Sequence, residues 1–178
     1  MSFQVDTVKG IIIKSTLKIR GNMEKYSIAE VIEQAVRAEK LGYEFYTRMT
    51  KRFKKDNQLQ SLFKTLAEKE LQHEKTFSDL KAKVKNEEPE GWEEVSEYLR
   101  AIVESEFFLG KKKSLPSLEH VKSAAGAVKF ALGFEKETLL YYYAVREAVK
   151  EEDIVDGIID EEKKHIVWLS EFKGRLKK

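Results

Sequence analysis

Along most of this chain, hydrophobic residues recur at alternating spacings of three and four, the period of an α-helix that buries one face. This pattern predicts a helix α1 over about 28–54, a helix α2 ending at about 85, a helix α4 over about 124–150 and a helix α5 over about 154–173. A shorter amphipathic helix, α3, is predicted over about 92–109. The chain contains only 2 prolines, which favours long uninterrupted helices.

Capping residues predict where these helices begin and end. Ser27 followed by Glu30 forms a capping box at the start of α1. Asn57 is predicted to cap α2, and the basic stretch 51–55 suits the C-terminal end of α1. Gly174 is predicted to stop α5.

The interval between α2 and α4 spans about forty residues and begins with a break at Pro89 and Gly91. It is long enough to cross the full length of a helical bundle. Helices α2 and α4 could therefore run parallel, while α1–α2 and α4–α5 form antiparallel hairpins. The predicted fold is an all-α four-helix bundle over residues 23–178, with a long crossover that contains α3.

Residues 1–22 differ from the rest, because they are β-branched and roughly alternate between apolar and polar positions. They are predicted to form one strand or a loose extended arm. A single strand leaves both backbone edges unpaired, so we expect this arm to pair with its copy in a second molecule and to reinforce a homodimer. Met23 could equally be the start of the functional chain.

The two halves of the chain repeat each other. Positions in α1 recur with identical internal spacing in α4, as Ser27, Ala35, Glu39 and Tyr46 against Ser123, Ala131, Glu135 and Tyr142. Positions in α2 recur in α5, as Glu70 and His73 against Glu162 and His165. Two helical hairpins with matched polar positions imply a bundle with pseudo-twofold symmetry.

The buried face of each long helix is apolar except for one glutamate, joined in α2 and α5 by a histidine three residues later. These polar residues are Glu39, Glu70, His73, Glu135, Glu162 and His165. Four ionised and unpaired carboxylates in a core would cost several kcal/mol each. The faces hold no Lys or Arg, but two divalent cations would balance the four charges. Oxygen and imidazole ligands suit iron or manganese, and a chain with 0 cysteines offers no thiolate.

Four segments bring the sequence close to a known family: AVRAEKLGYEFY, LAEKELQHEKTF, FEKETLLYYY and IIDEEKKHIVWL. From about Glu24 to Lys173 the chain resembles the rubrerythrin-like di-iron proteins of the ferritin-like superfamily. The resemblance implies a ferritin-like bundle and two iron ions, with manganese or a mixed metal pair as alternatives. It implies terminal ligands at Glu39 and Glu135, bridging carboxylates at Glu70 and Glu162, and one histidine for each metal at His73 and His165.

Two departures from the family limit what the resemblance implies. Rubrerythrins proper carry a rubredoxin domain with four cysteines, which this sequence lacks. They also place an extra glutamate three residues after the ligand in the third helix of the bundle. Thr138 stands there in this chain, and Glu137 faces away from the buried side. The resemblance therefore does not extend to the iron-toggling peroxidase mechanism that uses this glutamate.

The resemblance implies a non-haem dinuclear iron oxidoreductase that reacts with peroxide or dioxygen. Its electrons would come from a separate carrier such as a rubredoxin-type protein. The alternative is a helical bundle that binds metal for structure or sensing without turnover. Tyr46 and Tyr142 are candidates to hydrogen-bond a ligand carboxylate or to supply an electron, although core aromatic residues need no such role.

Charge and composition exclude other classes. The 33 basic and 31 acidic residues leave a net charge of +2, which offers no basic surface for nucleic acid. No apolar run approaches the length of about 20 residues that a membrane span needs, so a cytoplasmic protein is expected. Trp92 and Trp168 are expected to be packing residues. Solvated helix faces are expected for the remaining glutamates considered, Glu44, Glu68, Glu74, Glu137 and Glu161.

Overall fold

A computed structural model describes residues 26–85, 88, 90–104 and 121–176, and all regular structure in these ranges is helical. The helices are α1 (Ile28–Arg52), α2 (Asn57–Lys83), α3 (Trp92–Glu104), α4 (Ala124–Ala148) and α5 (Glu152–Arg175). The predicted all-α architecture is confirmed. The predicted arm and the predicted continuation of α3 to 109 lie outside the described residues.

The capping box at the start of α1 is confirmed. The backbone N–H of Glu30 donates to Ser27 Oγ at 3.2 Å, and the backbone N–H of Ser27 donates to Glu30 Oε2 at 2.9 Å. Ser123 occupies the equivalent position before α4, where its Oγ accepts from the backbone N–H of Gly126 at 3.0 Å. The internal repeat therefore extends to the first turn of each hairpin.

Two predicted helix boundaries are wrong. Asn57 is the first residue of α2 rather than its cap, because Asp56 takes the cap position and its Oδ1 accepts from the backbone N–H of Leu59 at 3.0 Å. Gly174 does not end α5, which continues to Arg175. A glycine ends a helix by adopting a positive φ, and among the described glycines only Gly91 does so.

Cross-helix contacts show that the helices of each hairpin are antiparallel. In the first hairpin, Lys40 Nζ lies 3.5 Å from Glu74 Oε1. Glu33, which is nearer the start of α1, pairs with Lys81, which is nearer the end of α2. In the second, Arg146 Nε near the end of α4 donates to Asp156 Oδ1 near the start of α5 at 2.6 Å.

Helices α1 and α4 are also antiparallel, because Tyr141 near the end of α4 donates to the carbonyl of Val31 near the start of α1 at 2.7 Å. Helices α2 and α4 therefore run parallel, as the length of the interval between them predicted. This topology brings the middle of all four long helices together.

The crossover helix α3 packs against α4 and against the residues that precede α1. Trp92 is buried and its indole N–H donates to the carbonyl of Tyr26 at 3.1 Å, while Ser96 Oγ accepts from the backbone N–H of Tyr26 at 3.3 Å. Trp92 is thus a packing residue, as expected. The crossover helix holds the entry to α1 in place.

The predicted apolar faces of the four long helices form the core. Fully or almost fully buried members include Ala35, Met49, Leu59, Phe63, Leu66, Phe77, Val128, Ala131, Val145, Val155 and Leu169. Burial of a large apolar side chain stabilises a fold by about 1.5–3 kcal/mol, so this core drives assembly of the bundle. None of the helices in the described part of the chain is both long enough and apolar enough to cross a membrane.

Candidate metal centre

The six predicted ligand residues meet in the middle of the bundle, between all four long helices. Their exposed fractions are at most 3%, for Glu39, Glu70, His73, Glu135, Glu162 and His165. Helices α1 and α4 each contribute one carboxylate, and α2 and α5 each contribute a glutamate and a histidine one helical turn apart. The repeat and the helical spacing therefore led to residues that the fold brings together.

These residues form two overlapping groups. One consists of Glu39, Glu70, His73 and Glu162, and the other consists of Glu70, Glu135, Glu162 and His165. In each group, one nitrogen or carboxylate oxygen from every member lies within 4.8 Å of the others. Glu70 and Glu162 belong to both groups, which is the arrangement that bridging carboxylates require.

Both imidazole rings turn their Nδ1 atom toward the carboxylates. His73 Nδ1 lies 2.9 Å from Glu162 Oε1 and 3.6 Å from Glu39 Oε2. His165 Nδ1 lies 3.4 Å from Glu135 Oε2, 3.4 Å from Glu162 Oε2 and 3.5 Å from Glu70 Oε1. Each Nδ1 lone pair can thus reach a position between its own group of carboxylates.

Eight buried polar atoms of this cluster have no hydrogen-bond partner among the described residues. In the described ranges, the buried side-chain atoms without a hydrogen-bond partner are Glu39 Oε2, Glu70 Oε1, His73 Nδ1, Glu135 Oε2, both carboxylate oxygens of Glu162, and both ring nitrogens of His165. An unsatisfied buried polar atom costs about 1–3 kcal/mol. A donor set of carboxylate oxygens and imidazole nitrogens fits two transition-metal ions, which would bind these atoms directly.

Burial and mutual repulsion shift the pKa values of the cluster so that protons bind more tightly to most of its members. Burial raises the pKa of Glu39, Glu70 and Glu135, and neighbouring carboxylates raise it further. Burial alone would lower the pKa of His73, but Glu162 and Glu39 outweigh this effect and raise it to about 11. Burial would likewise lower the pKa of His165, but its carboxylate neighbours raise it.

Glu162 is the exception among the four carboxyl groups. Burial would raise its pKa, but interactions with Glu135 and with both histidines hold the pKa below its ordinary value. The cluster therefore favours the charged forms of Glu162 and of the two histidines and disfavours the charged forms of Glu39, Glu70 and Glu135. Metal binding must displace these protons, which makes metal affinity dependent on pH.

Two tyrosines hold the carboxylates of the opposite half of the chain. Tyr46 of α1 donates its hydroxyl hydrogen to Glu135 Oε1 of α4, and Tyr142 of α4 donates to Glu39 Oε1 of α1. Burial and the neighbouring carboxylates raise the pKa of both phenols, so both remain protonated donors. Each bond fixes one oxygen of a glutamate and leaves the Oε2 atom facing the cluster.

Thr138 stands where rubrerythrins proper place an additional glutamate. It is buried, and its hydroxyl lies 3.3 Å from the carbonyl oxygen of Phe134 and 3.1 Å from that of Glu135, both within its own helix. The hydroxyl is engaged by the backbone of α4 and offers no carboxylate to the cluster. The predicted departure from the family pattern therefore has a structural counterpart.

Glu161 has a contact that the sequence did not predict. Its Oε2 lies 3.2 Å from His73 Nε2 and 3.0 Å from Lys69 Nζ. Burial would raise the pKa of Glu161, but Lys69 and His73 lower it, so the group is a carboxylate. The expectation of a solvated face is wrong for Glu161, and Glu74 and Glu137 are half-buried as well, whereas Glu44 and Glu68 are exposed. The one sequence signal was the opposite charge of Lys69 and Glu161, which precede Glu70 and Glu162 in the repeat.

An antiparallel four-helix bundle with one glutamate on each of two helices and Glu-x-x-His on the other two defines the ferritin-like class of carboxylate proteins. The rubrerythrin family model matches residues 30–173, so the chain belongs to the rubrerythrin family. The resemblance seen in the sequence is confirmed.

A solved structure with a similar fold is that of a protein from Thermotoga maritima that is described as a ferritin-like diiron-carboxylate protein. The two chains share 21% identity with a TM-score of 0.64, over 85% of this chain and 97% of the other. This likeness supports the ferritin-like fold. No curated protein matches the chain by sequence.

Proposed function

We propose that this chain is a non-haem dinuclear iron protein whose six buried residues hold two iron ions. The observation that supports it is the pair of overlapping ligand groups, whose inward-facing atoms have no hydrogen-bond partner in the described ranges. Glu39 and Glu135 are assigned as terminal ligands, and Glu70 and Glu162 as bridges. His73 and His165 would each help to hold one of the two ions, since their Nδ1 atoms face the carboxylates.

The proposed reaction is the reduction of peroxide or dioxygen. When bound, a pair of ferrous ions supplies two electrons to such an oxidant. The chain contributes a buried site, two tyrosine hydroxyl groups that orient the terminal carboxylates, and carboxyl and imidazole groups that exchange protons as the charge of the site changes. The 178 residues contain no cysteine and therefore no rubredoxin-type iron site, so a separate carrier would return the electrons.

The second candidate is a metal-binding bundle without turnover, and Thr138 favours it because this position supplies no fifth carboxylate. Anaerobic mixing of the ferrous protein with peroxide distinguishes the two candidates. Oxidation within seconds and repeated turnover with an electron donor are expected of the enzyme. If the ferrous protein is not oxidised by peroxide, the result would support the second candidate, a bundle that binds metal without turnover.

The ligand assignment is tested by anaerobic titration with Fe²⁺, where we expect about two ions per chain. Glu70→Ala and Glu162→Ala should each abolish dinuclear binding, because each removes a proposed bridge. Glu68→Ala is the matched control, since Glu68 lies on α2 beside Glu70 in sequence but is exposed and paired with Lys64. Retention of both ions by either bridge variant would contradict the assignment.

A further inference from the structure

Gly42 lies on the buried side of α1, opposite the carboxylate of Glu70 on α2. A Cβ atom placed on Gly42 would overlap Glu70 Oε2, and it would lie 2.9 Å from Glu70 Cδ and 2.8 Å from Phe134 Cε1. These distances are shorter than side chains tolerate. The Glu70 carboxylate therefore occupies the volume that any other side chain at position 42 would fill.

Two helical glycines of α5 have no contact of this kind. A Cβ atom on Gly157 or Gly174, both in α5, would meet nothing within 4 Å. Glycine inside a helix is unfavourable relative to alanine because it loses more backbone entropy on folding. At Gly42, however, the space left by the missing side chain is filled by the carboxylate of Glu70.

The second half of the chain does not repeat this feature. Gly42 follows Glu39 by three residues, and the residue three after Glu135 is Thr138, which has a Cβ and is buried. On α1 a glycine leaves space for a carboxylate, but the matched position on α4 is not a glycine. Glu70 and Glu162 therefore occupy unlike surroundings although they hold matched positions in the repeat.

We propose that Gly42 is a positioning residue for Glu70, a role that rests on the proposed dinuclear function. The missing side chain lets the Glu70 carboxylate lie against α1, within reach of both ligand groups to which it belongs. A side chain at position 42 turns the carboxylate away from this place. The flexible end of Glu70 can move, so the bundle still folds while the metal positions lose a shared ligand.

The test compares Gly42→Ala with Gly157→Ala, which makes the same chemical change on α5 without a neighbour. Anaerobic calorimetric titration with Fe²⁺ gives affinity and stoichiometry, and far-ultraviolet circular dichroism of the metal-free variants checks the fold. We expect Gly42→Ala to weaken binding about 10- to 100-fold, the range for losing support of a metal ligand. Its metal-induced rise in Tm should shrink as well. Gly157→Ala should match the wild type in its affinity for Fe²⁺ and in its metal-induced rise in Tm.

A double-mutant cycle separates positioning from packing. If Gly42 acts through Glu70, adding Gly42→Ala to Glu70→Ala causes no further loss of affinity for the ion that remains. An equal loss in both backgrounds would overturn the positioning role and assign the effect to packing against Phe134. Gly42→Ala with wild-type affinity would also overturn it. A wild-type chain that fails to bind two ions contradicts the proposed function itself, before any variant is compared.

Discussion

The two histidines of the cluster differ in the surroundings of their Nε2 atoms, which face away from the carboxylates of the cluster. His73 Nε2 lies 3.2 Å from the carboxylate of Glu161, whereas His165 Nε2 is buried without a hydrogen-bond partner in the described ranges. The ring of His165 lies instead beside Trp168, with the centroids 5.7 Å apart. An outer carboxylate fixes the tautomer of a ligand histidine and makes its metal-bound nitrogen more basic. The metal position at His73 should therefore be the stronger of the two.

Variants of Glu161 test this inequality. Glu161→Ala removes the partner of His73 and should weaken the tighter step of Fe²⁺ binding about 10- to 100-fold. Glu161→Gln keeps an acceptor oxygen but loses the charge, so its effect should be smaller. Asp160→Asn is the control, because Asp160 is exposed and paired with Lys163. Stepwise anaerobic titration measures both constants, and two unchanged constants in Glu161→Ala would reject an outer role for Glu161.

The six cluster residues were predictable because charged side chains interrupt apolar faces at repeat-matched positions. Glu161 was not predictable in the same way, since its contact with His73 depends on how α5 crosses α2. Gly42 was visible as a member of the buried face of α1, but its contact depends on the side-chain conformation of Glu70. One-dimensional periodicity identifies which face is buried and leaves contacts between helices open.

At the scale of helices, periodicity predicted all five elements, and errors were confined to the ends. Asp56 and Asn57 are adjacent and both are good N-cap residues, so the sequence alone did not separate them. The ends of the two hairpins also differ in detail. Ser27 forms a reciprocal capping box with Glu30, whereas the first turn of α4 contains no acidic residue that could accept a hydrogen bond from the backbone N–H of Ser123.

This difference predicts unequal capping energies. Ser27→Ala should lower the free energy of unfolding by about 0.5–2 kcal/mol, and Ser123→Ala should lower it by less, because only Ser27 belongs to a capping box. Urea unfolding of the metal-free protein measures both effects through the transition midpoint at constant slope. A larger loss for Ser123→Ala would show that the reciprocal bond from Glu30 does not strengthen the cap.

For the whole molecule, the buried cluster links stability to pH. The pKa values of Glu39, Glu70 and Glu135 are raised in the folded chain, so their contribution to stability is fully present below the ordinary value of 4.5. It is lost as the pH rises through the folded pKa values. His73 acts in the same direction, with its contribution present below 6.5 and lost as the pH rises through about 11. Glu162 acts oppositely, since its lowered pKa stabilises the fold above 4.5.

The metal-free protein should therefore become less stable between about pH 5.5 and 7.5, because in this range the unfolded chain releases protons that the raised pKa values hold in the folded chain, while the effect of Glu162 is already complete. Metal should reverse this trend, because it binds the deprotonated ligands and meets less competition from protons at the higher pH. Melting temperatures with chelator and with anaerobic Fe²⁺ at the two pH values measure both effects. A metal-induced rise in Tm that is larger at the lower pH would contradict the ligand assignment.

The division of the six cluster residues between the hairpins has a consequence for how such a centre can originate. Each group takes three of its four members from one hairpin and a single glutamate from the other. One hairpin alone cannot complete either group, yet two copies of one hairpin related by a twofold axis would supply every member of both. A short peptide with one glutamate followed by Glu-x-x-His would suffice as a self-associating ancestor, and duplication with fusion would yield a single chain of this kind. Gly42 against Thr138, and Lys69 against Glu161, are matched positions around this shared centre at which the two halves of the chain differ.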